Sequence, residues 1–423
     1  MDALIDLEVE RAVAGGAMLA RHGGDVVLVS GAIPGERVRA RVTRRAKGVT
    51  LADTVEVIDA SPDRRVPACD PACGGSLYAH VRYPRQLDLK REVVRDAFRR
   101  IGRIAIDEAL GVYPSREDGY RLRATLHVRG GRAGFFREGT HALCDPAPTG
   151  QVLPDTLRAV ASVLRMLGPG LDDCAQVVVA ENVAATGRVV HLVPRAGRSL
   201  AGLAIDPAAL DAVTGVTTAG RGRPAVLAGA PTISDSAAEL FGEDPPVAGP
   251  VGWTRQATSF FQGNRWLVGA LARRVIDTAA GDRVVDLYAG VGLFSVALAA
   301  RGASVVAVEG DRSSGADLAA NAGPWRDRLL VVRGDVESAV SRPPQARPDV
   351  AIVDPPRTGM SAAALTGLLA WRTPRLVYVS CDPPTLARDA ARLAGAGYAL
   401  TSLEAFDVFP NTPHVEAIAV FDR

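Results

Sequence analysis

The sequence predicts an α/β protein whose C-terminal half contains a mostly parallel, doubly wound sheet. From about Ala270 onward, apolar strand segments such as "DRVVDLYAG" and "ASVVAVEGD" alternate with helical segments, and this alternation is typical of parallel sheets. Residues 1 to about 60 instead contain short strand segments separated by glycine turns, which predicts a small β-barrel. The stretch between these parts mixes strands and helices, which indicates a separate α+β domain.

These patterns divide the 423 residues into three predicted domains. A β-barrel over 1–60 is followed by an α+β domain over 61–245 and by the doubly wound domain over 246–423. The segment "GEDPPVAGPVG" favours the second boundary because proline and glycine interrupt regular structure. The apolar stripe of "RQLDLKREVVRDAFRRIG" predicts a helix near 85–102, which we expect to pack on the C-terminal domain.

The composition argues against membrane and secreted proteins. No apolar run reaches the roughly 18 residues of a membrane span, and "MDALIDLEVE" has acids where a secretory signal has a basic start. Five cysteines, an odd number in a long chain, argue against a secreted disulfide framework. We therefore expect a cytoplasmic protein that is a monomer and has no membrane partner.

The basic residues are clustered although the net charge is only +2. The segment "RVRARVTRRAK", from Arg37 to Lys47, holds six basic residues and no acid. Arg37, Arg39 and Arg41 alternate with apolar residues, so they share one face of a strand. A barrel wall of this kind suits RNA, and a structural barrel with a charged exterior is the alternative interpretation.

A glycine turn between a strand and a helix predicts a cofactor site. In "VVDLYAGVGLF", Gly290 and Gly292 let the backbone approach a ligand at the start of the helix. Ser295 stands where a dinucleotide-binding turn has its third glycine, whereas Asp286 at the end of the strand fits the turn of S-adenosylmethionine enzymes. Glu309 and Asp335 end the next two strands, where ribose and adenine would lie. The alternative is that these acids only cap helices.

Two later strands end in Asp-Pro-Pro turns, "VDPPR" at Asp354 and "SCDPP" at Cys381. In amino-methyltransferases an aromatic residue follows the comparable turn, but here Arg357 follows, which disfavours methylation of an exocyclic amine. A cysteine nucleophile and a carboxylate base suit methylation at carbon 5 of uracil. Glu416 stands among apolar residues, which raise the pKa of a carboxyl group. Alternatively, Cys381 is a small buried apolar residue and Glu416 a surface residue.

The chain resembles the RNA uracil-5-methyltransferases, the TrmA and RumA group. The segments "DPPRTG", "YVSCDPPTLARD" and "DVFPNTPHVE" are similar to three signature segments of that family, and "SFFQGN" is similar to its Phe-Gln-x-Asn segment. The resemblance implies a Rossmann-like class I methyltransferase domain over the C-terminal part. It also implies that residues 1–60 form an OB-like TRAM barrel that binds RNA.

The resemblance also implies roles for individual residues. Cys381 would be the nucleophile and Glu416 the base. The implied contacts to S-adenosylmethionine are Gln262, Tyr288, Gly290, Glu309, Asp335 and Asp354. The implied contacts to the target uridine are Asp354, Phe261 and His414. Two positions depart from the family pattern, because Asp382 replaces an Asn and Asn411 stands where Gln or His is commoner.

The segment "CDPACGGSLYAH" resembles the iron–sulfur segment of the rRNA-type members of the family. Cys69, Cys73 and Cys144 occupy three of the four ligand positions, and Ser76 stands at the remaining one. Four thiolates normally hold a [4Fe–4S] cluster. Three thiolates and a serine leave a labile cluster, a three-iron cluster or no cluster open.

Together, these features predict an enzyme that methylates carbon 5 of a uridine in RNA. The cluster-like segment and the barrel favour 23S rRNA over tRNA as substrate. A methyltransferase acting on another base or on DNA is the alternative among enzymes. An RNA-binding scaffold protein is the alternative from another class, and the presence of both Cys381 and Glu416 argues against it.

Overall fold

The computed structural model describes residues 3–46, 48–210, 212–220, 224–247 and 249–423. Lys47, the last basic residue of the predicted basic strand, lies outside these residues. The first five strands form a closed barrel with the neighbour order β1-β2-β3-β5-β4. Their bounds are β1 (Leu4–Ala12), β2 (Met18–His22), β3 (Asp25–Ser30), β4 (Arg37–Ala46) and β5 (Val49–Asp59).

Strand β4 has the alternation that the sequence predicts. Val38 and Ala40 are fully buried inside the barrel, while Arg37, Arg39 and Arg41 lie on the outer face. Arg39 donates to Asp6 at 2.9 Å and to Glu56 at 2.9 Å. Acidic neighbours therefore neutralise part of the basic wall, which leaves its positive charge weaker than the strand sequence alone indicates.

A seven-stranded sheet with the order β13-β12-β11-β10-β7-β8-β9 forms the centre of the chain. Helix α2 (Pro154–Met166) packs on one face through its apolar side, including Val160 and Val163. The strands are β7 (Arg123–Arg129), β8 (Arg132–Phe136), β9 (Leu143–Cys144), β10 (Cys174–Glu181), β11 (Arg188–Pro194), β12 (Gly215–Thr218) and β13 (Ala225–Gly229).

A two-stranded sheet lies across the domain boundary expected at residue 246. Strand β14 (Thr232–Ser236) leads into α3 (Ala237–Phe241) and pairs with β15 (Gly252–Gln256). The expected boundary therefore falls inside one hairpin unit. The Pro/Gly-rich segment starts after α3 and ends at Gly252, the first residue of β15, and its composition is as typical of a loop as of an interdomain link.

The C-terminal part is an eight-stranded sheet with the order β18-β17-β16-β19-β20-β22-β21-β6. Strands β16 to β20 are parallel, and β22 runs antiparallel to β20. This is the predicted class I methyltransferase arrangement. The strands are β6 (Val112–Tyr113), β16 (Arg283–Leu287), β17 (Ser304–Glu309), β18 (Leu329–Arg333), β19 (Val350–Val353), β20 (Arg375–Ser380), β21 (Ala399–Phe406) and β22 (Glu416–Asp422).

Helices cover both faces of this sheet. Their bounds are α4 (Val268–Thr278), α5 (Leu293–Ala300), α6 (Arg312–Asn321), α7 (Val336–Val340), α8 (Ala362–Ala370) and α9 (Pro383–Gly395). Two separate apolar clusters lie on the opposite faces of the sheet. Among the described residues, no helix combines the length and apolar character that a membrane crossing requires.

Helix α1 (Tyr83–Ala97) joins the barrel to the C-terminal sheet. Its Leu89 and Val93 pack in the core of the barrel, while Val94 packs with residues of the eight-stranded sheet. A π-helical turn follows α1 and ends at Gly102, where the sequence predicts the helix to end. A side chain at Gly102 would press on the carbonyl oxygen of Ala387 in α9, 3.2 Å away.

Gly269 and Gly395 both lie in helices. Replacing each of them with alanine should change the stability of the fold in opposite directions. A Cβ at Gly269 would overlap the carbonyl oxygen of Leu240, whereas a Cβ at Gly395 meets nothing within 4 Å. We expect Gly269→Ala to destabilise the fold by about 1–3 kcal/mol through overpacking. Gly395→Ala should stabilise it by about 0.5–1 kcal/mol through helix propensity. Urea unfolding of both variants measures the change in the free energy of unfolding. Equal changes in the two variants would contradict the close contact between Gly269 of α4 and Leu240.

Candidate active site

The predicted site residues gather at the carboxyl edge of the eight-stranded sheet. Glu309 ends β17, Asp354 follows β19, and Cys381 follows β20. Glu416 begins β22, which is antiparallel to β20, so it lies at the same edge. The chain order reverses between β16 and β19, and ligands of doubly wound sheets bind at such a reversal.

The glycine turn after β16 is held open by its backbone conformation. Gly290 and Gly292 have φ values of 58° and 90°, which glycine adopts without a steric penalty. The amide of Gly290 donates to the carboxylate of Glu309 at 2.7 Å. The indole of Trp253, on β15, donates to the carbonyl of Gly292 at 3.0 Å. The hairpin before the sheet therefore supports the turn.

One pocket brings together four of the six predicted cofactor contacts. It is lined by Phe260, Phe261, Gln262, Tyr288, Ala289, Gly290, Val291, Leu293, Phe294 and Asp354. The side-chain amide of Gln262 donates to Asp354 at 3.1 Å. Glu309 borders this pocket through its bond to Gly290, and Asp335 lies at the next strand end, where it caps α7 through the amide of Ser338.

This donor set fits S-adenosylmethionine. The open turn lets backbone amides approach the ligand, and the Glu309 carboxylate at the end of β17 is placed to accept ribose hydroxyls. Asp286, at the base of the turn, is fully buried, and one of its carboxyl oxygens has no hydrogen-bond partner among the described residues. Burial raises the pKa of Asp286 to about 7. The turn is therefore built over a carboxyl group that holds a proton more firmly than usual.

The two adjacent phenylalanines of the "SFFQGN" segment differ in exposure. Phe261, the predicted substrate contact, is buried, and its ring lies under the guanidinium of Arg255 at 3.8 Å. Phe260 is 55% exposed at the mouth of the pocket. Sequence reasoning missed Phe260 because two neighbouring aromatics in a loop give no period that separates the inward ring from the outward one.

Cys381 lies in an acidic, partly buried environment. Burial raises the pKa of its thiol to about 12, and the charge of Glu416 acts in the same direction. Asp354 and Asp382 add to this shift, while the guanidinium of Arg357 opposes it. The thiol is therefore protonated in the substrate-free protein, and it must lose its proton before it can act as a nucleophile.

Half-buried Asp354 and buried Glu416 form a pair of interacting carboxyl groups. Burial raises the pKa of Asp354 to about 8, and the charge of Asp286 adds to the shift. Burial also raises the pKa of Glu416 well above its ordinary value, and the charge of Asp354 adds to that shift. Two carboxylates this close resist ionising together, so the pair retains a proton near neutral pH.

His414 is the neutral partner of Arg357. The guanidinium donates to Nε2 of His414 at 3.3 Å, and burial lowers the pKa of this histidine to about 4 with help from the charge of Arg357. Arg357 thus lies beside His414 and favours the ionised forms of Cys381 and Glu416. Arg357 had no role in the site predicted from the sequence. Its position directly after the Asp-Pro-Pro turn at the end of β19 is a local signal from which such a role can be predicted.

Asp382 caps helix α9 instead of facing the thiol. The backbone amide of Thr385 donates to the Asp382 carboxylate at 2.9 Å, and the helix N-terminus favours a negative charge there. Asp382 is the weakest of the groups that shift the pKa of Cys381. The carboxylate that replaces the family Asn therefore interacts mainly with the N-terminus of α9 and only weakly with the thiol.

Comparisons with known proteins identify the family. A family model described as tRNA (uracil-5-)-methyltransferase matches residues 347–423. The 23S rRNA (uracil(1939)-C(5))-methyltransferase RlmD of Halomonas elongata is 33% identical, and the match covers 95% of this chain and 85% of that protein. An uncharacterised RNA methyltransferase of Corynebacterium efficiens is 31% identical over 99% of this chain and 94% of its own length.

The chain belongs to the RNA uracil-5-methyltransferase family. It is therefore an S-adenosylmethionine-dependent RNA methyltransferase, as predicted. The fold agrees, since the tRNA (uracil-54, C5)-methyltransferase of Pyrococcus abyssi, solved with S-adenosyl-L-homocysteine, superposes with a TM-score of 0.75 at 23% identity. That match covers 98% of this chain and 99% of the other.

The cysteines of this uracil-5-methyltransferase do not fit a four-thiolate cluster. Cys73 and Cys144 are joined by a disulfide, and Cys69 is free. Ser76, at the fourth position, is buried and lines a cavity of about 220 Å³ with Cys69. No group of three metal-ligating side chains is positioned to hold an ion within the described ranges. Of the expected metal ligands Cys69, Cys73 and Cys144, two are therefore bonded to each other, which leaves Cys69 as the one free thiol of the three.

The cysteine arrangement predicts a distinct alkylation pattern. Denatured, unreduced protein should take up iodoacetamide at three cysteines, and reduction should expose two more, because only Cys73 and Cys144 are bonded. Peptide mass spectrometry of anaerobically purified protein measures this. Stoichiometric iron with acid-labile sulfide in the same preparation would contradict the arrangement.

Proposed function

We propose that the protein transfers a methyl group from S-adenosylmethionine to carbon 5 of a uridine in 23S rRNA. The observation that carries the proposal is that Cys381, Glu416 and Asp354 lie at the same edge of the sheet, where Asp354 also lines the pocket beside the glycine turn. The relatives named 23S rRNA (uracil(1939)-C(5))-methyltransferase, at 31–33% identity, support rRNA as the substrate.

In the proposed reaction, the sulfur of Cys381 forms a bond to carbon 6 of the uracil. The electron pair of the 5,6 double bond then moves into an enolate, which makes carbon 5 nucleophilic. The half-buried thiol first releases its proton to water, and the guanidinium of Arg357 favours the thiolate that remains. Asp354 is proposed to hold the uracil, since its carboxyl keeps a proton that can be donated to a carbonyl oxygen.

S-adenosylmethionine, held by Gln262, Tyr288, Gly290, Glu309 and Asp335, supplies an electrophilic methyl group when bound. After carbon 5 is methylated, the Glu416 carboxylate accepts the remaining proton of carbon 5. The 5,6 double bond then forms again and the sulfur–carbon 6 bond breaks, which returns the thiolate. The raised pKa of Glu416 makes its ionised form a stronger proton acceptor than an exposed carboxylate.

RNA recognition is proposed to use the parts outside the methyltransferase sheet. The outer face of β4 carries arginines that suit phosphates, and the exposed ring of Phe260 lies at the pocket mouth. We propose that residues 1–60 act as an RNA-binding barrel and that the protein works as a cytoplasmic monomer. His414 is proposed to contact the target nucleotide together with Arg357.

The direct test is incubation with methyl-labelled S-adenosylmethionine and separate preparations of unmodified 23S rRNA and tRNA. Nucleoside analysis should show label in 5-methyluridine from rRNA. Label in 5-methyluridine from tRNA alone would show that tRNA, and not 23S rRNA, is the substrate. Label in another nucleoside would overturn the proposed chemistry.

Replacing Cys381 tests the nucleophile. Cys381→Ala should lower turnover by at least about 10³-fold, because the carbon 6 adduct is lost, while the affinity for S-adenosylmethionine stays within about twofold. Cys174→Ala, at a buried thiol of the central sheet, is the matched control and should retain turnover. Single-turnover kinetics and calorimetric cofactor binding measure both effects. If the Cys381→Ala enzyme retained turnover, the proposed mechanism through a covalent adduct of Cys381 would be wrong.

Replacing Glu416 tests the base. Glu416→Gln keeps the shape of the side chain but cannot accept the carbon 5 proton, so methylated RNA should remain attached to Cys381. The adduct appears as a slower band on denaturing gels and is absent from Cys381→Ala/Glu416→Gln. Glu404→Gln, on the adjacent strand β21, is the control and should give no excess adduct. Normal turnover of Glu416→Gln would assign the base elsewhere.

A further inference from the structure

Helix α1 buries two polar side chains that the proposed chemistry does not use. Gln86 is fully buried and Lys90 is only 1% exposed, and they lie one helical turn apart on the same face. Burying a charged or amide side chain costs free energy unless it is hydrogen-bonded. The hydrogen-bond partners of these two side chains therefore show which segment this face of the helix contacts.

The partners of Lys90 lie in the loop that precedes Glu416. Its ammonium forms an ion pair with Asp407, and both side chains are completely buried. The ammonium also donates to the carbonyl of Phe409 at 3.0 Å. The chain has 49 basic residues, and Lys90 is one of only two lysines. Its ammonium is a compact point charge with three donors, and two of its partners, Asp407 and Phe409, lie in this loop.

The partner of Gln86 in this loop is Asn411. The side-chain amide of Gln86 donates to the side-chain oxygen of Asn411 at 2.9 Å, and the Gln86 side-chain oxygen accepts from the backbone amide of Asn411 at 2.8 Å. The carbonyl of Asn411 accepts from the amide of Tyr78 at 2.8 Å. Asn411 has a φ of 64°, a left-handed conformation that needs such support outside glycine.

The loop from 407 to 415 leads directly to the reacting groups. The ring of Phe409 packs edge-on against His414, with centroids 6.2 Å apart, and Glu416 follows at the start of β22. On its other side the loop contacts the cofactor segment, since the Asn264 amide donates to the carbonyl of Val408 at 2.9 Å. A shift of the loop would therefore move His414 and Glu416 relative to the cofactor pocket.

We propose that Lys90 and Gln86 are positioning residues for the methyl-transfer reaction, which clamp the loop 407–415 so that Glu416 reaches carbon 5. This rests on the proposed function of Glu416 as the base. The helix that links the barrel to the C-terminal sheet thus also sets the geometry of the active site. Asn411, where the sequence departs from the family pattern, is the residue to which Gln86 makes two hydrogen bonds.

The main test is Lys90→Met, with kcat, KM for RNA, cofactor affinity and adduct fraction measured on the full-length protein. We expect kcat to fall by about 10-fold or more, because an ångström-scale misplacement is enough for such a loss. KM and cofactor affinity should stay within about twofold, and the trapped covalent adduct should increase. Glu92→Gln, on the exposed face of the same helix, is the control and should leave all four values unchanged.

Two further variants separate positioning from stability. Lys90→Met/Asp407→Leu replaces the buried pair with apolar groups, which commonly restores stability; we expect Tm to recover while kcat stays low, because the contact to Phe409 is missing. Asn411→Gly keeps the left-handed backbone and its amide but removes the side-chain oxygen that accepts from Gln86 and Arg65, and should lower kcat several-fold. Recovery of both Tm and kcat in the double variant would overturn the proposal.

Hydrogen exchange makes the test independent of activity. Amides of 407–415 should exchange at least 10-fold faster in Lys90→Met than in the wild type, while β16 and β17 stay unchanged. If the wild type forms no 5-methyluridine, the proposed function fails, and this exchange result still decides whether α1 clamps the loop. Unchanged exchange, or unchanged kcat in a folded Lys90→Met enzyme, overturns the inference.

Discussion

The site depends on the parallel order of β16, β19 and β20, because parallel strands end at one edge of a sheet. Each strand of this group ends in a chemically active residue or turn, and the reversal of chain order leaves a crevice between them. The antiparallel strand β22 then brings Glu416 to the same edge from the opposite chain direction. Residues more than a hundred positions apart in sequence meet there without any long insertion.

The same convergence creates the electrostatic character of the site. Asp286, Asp354 and Glu416 are acids in a region with little access to water, so the pKa of each is raised. Arg357 is the cation that opposes this effect at Cys381 and Glu416. A site that holds its protons in this way suits a reaction in which a thiol must lose one proton and carbon 5 another.

Support for the site comes from elements outside the methyltransferase sheet. Trp253 braces the glycine turn from the preceding hairpin, and Lys90 reaches the loop before Glu416 from helix α1. Because α1 also packs into the barrel, the barrel and the loop before Glu416 contact one and the same helix. The disulfide between Cys73 and Cys144 ties the segment before α1 to the central sheet.

The sequence by itself determined the fold class and the glycine turn, because strand periodicity and strand-end residues are local signals, and its resemblance to the family proposed Cys381 as the nucleophile and Glu416 as the base. The tertiary structure decided what local signals do not encode. It turned Phe260 outward and Phe261 inward, assigned Asp382 to a helix cap, and joined Cys73 to Cys144. The position of Arg357 and the buried contact of Lys90 also needed the fold, since both depend on neighbours from distant segments. A single sequence specifies which groups are present, and packing decides which of them share a desolvated space.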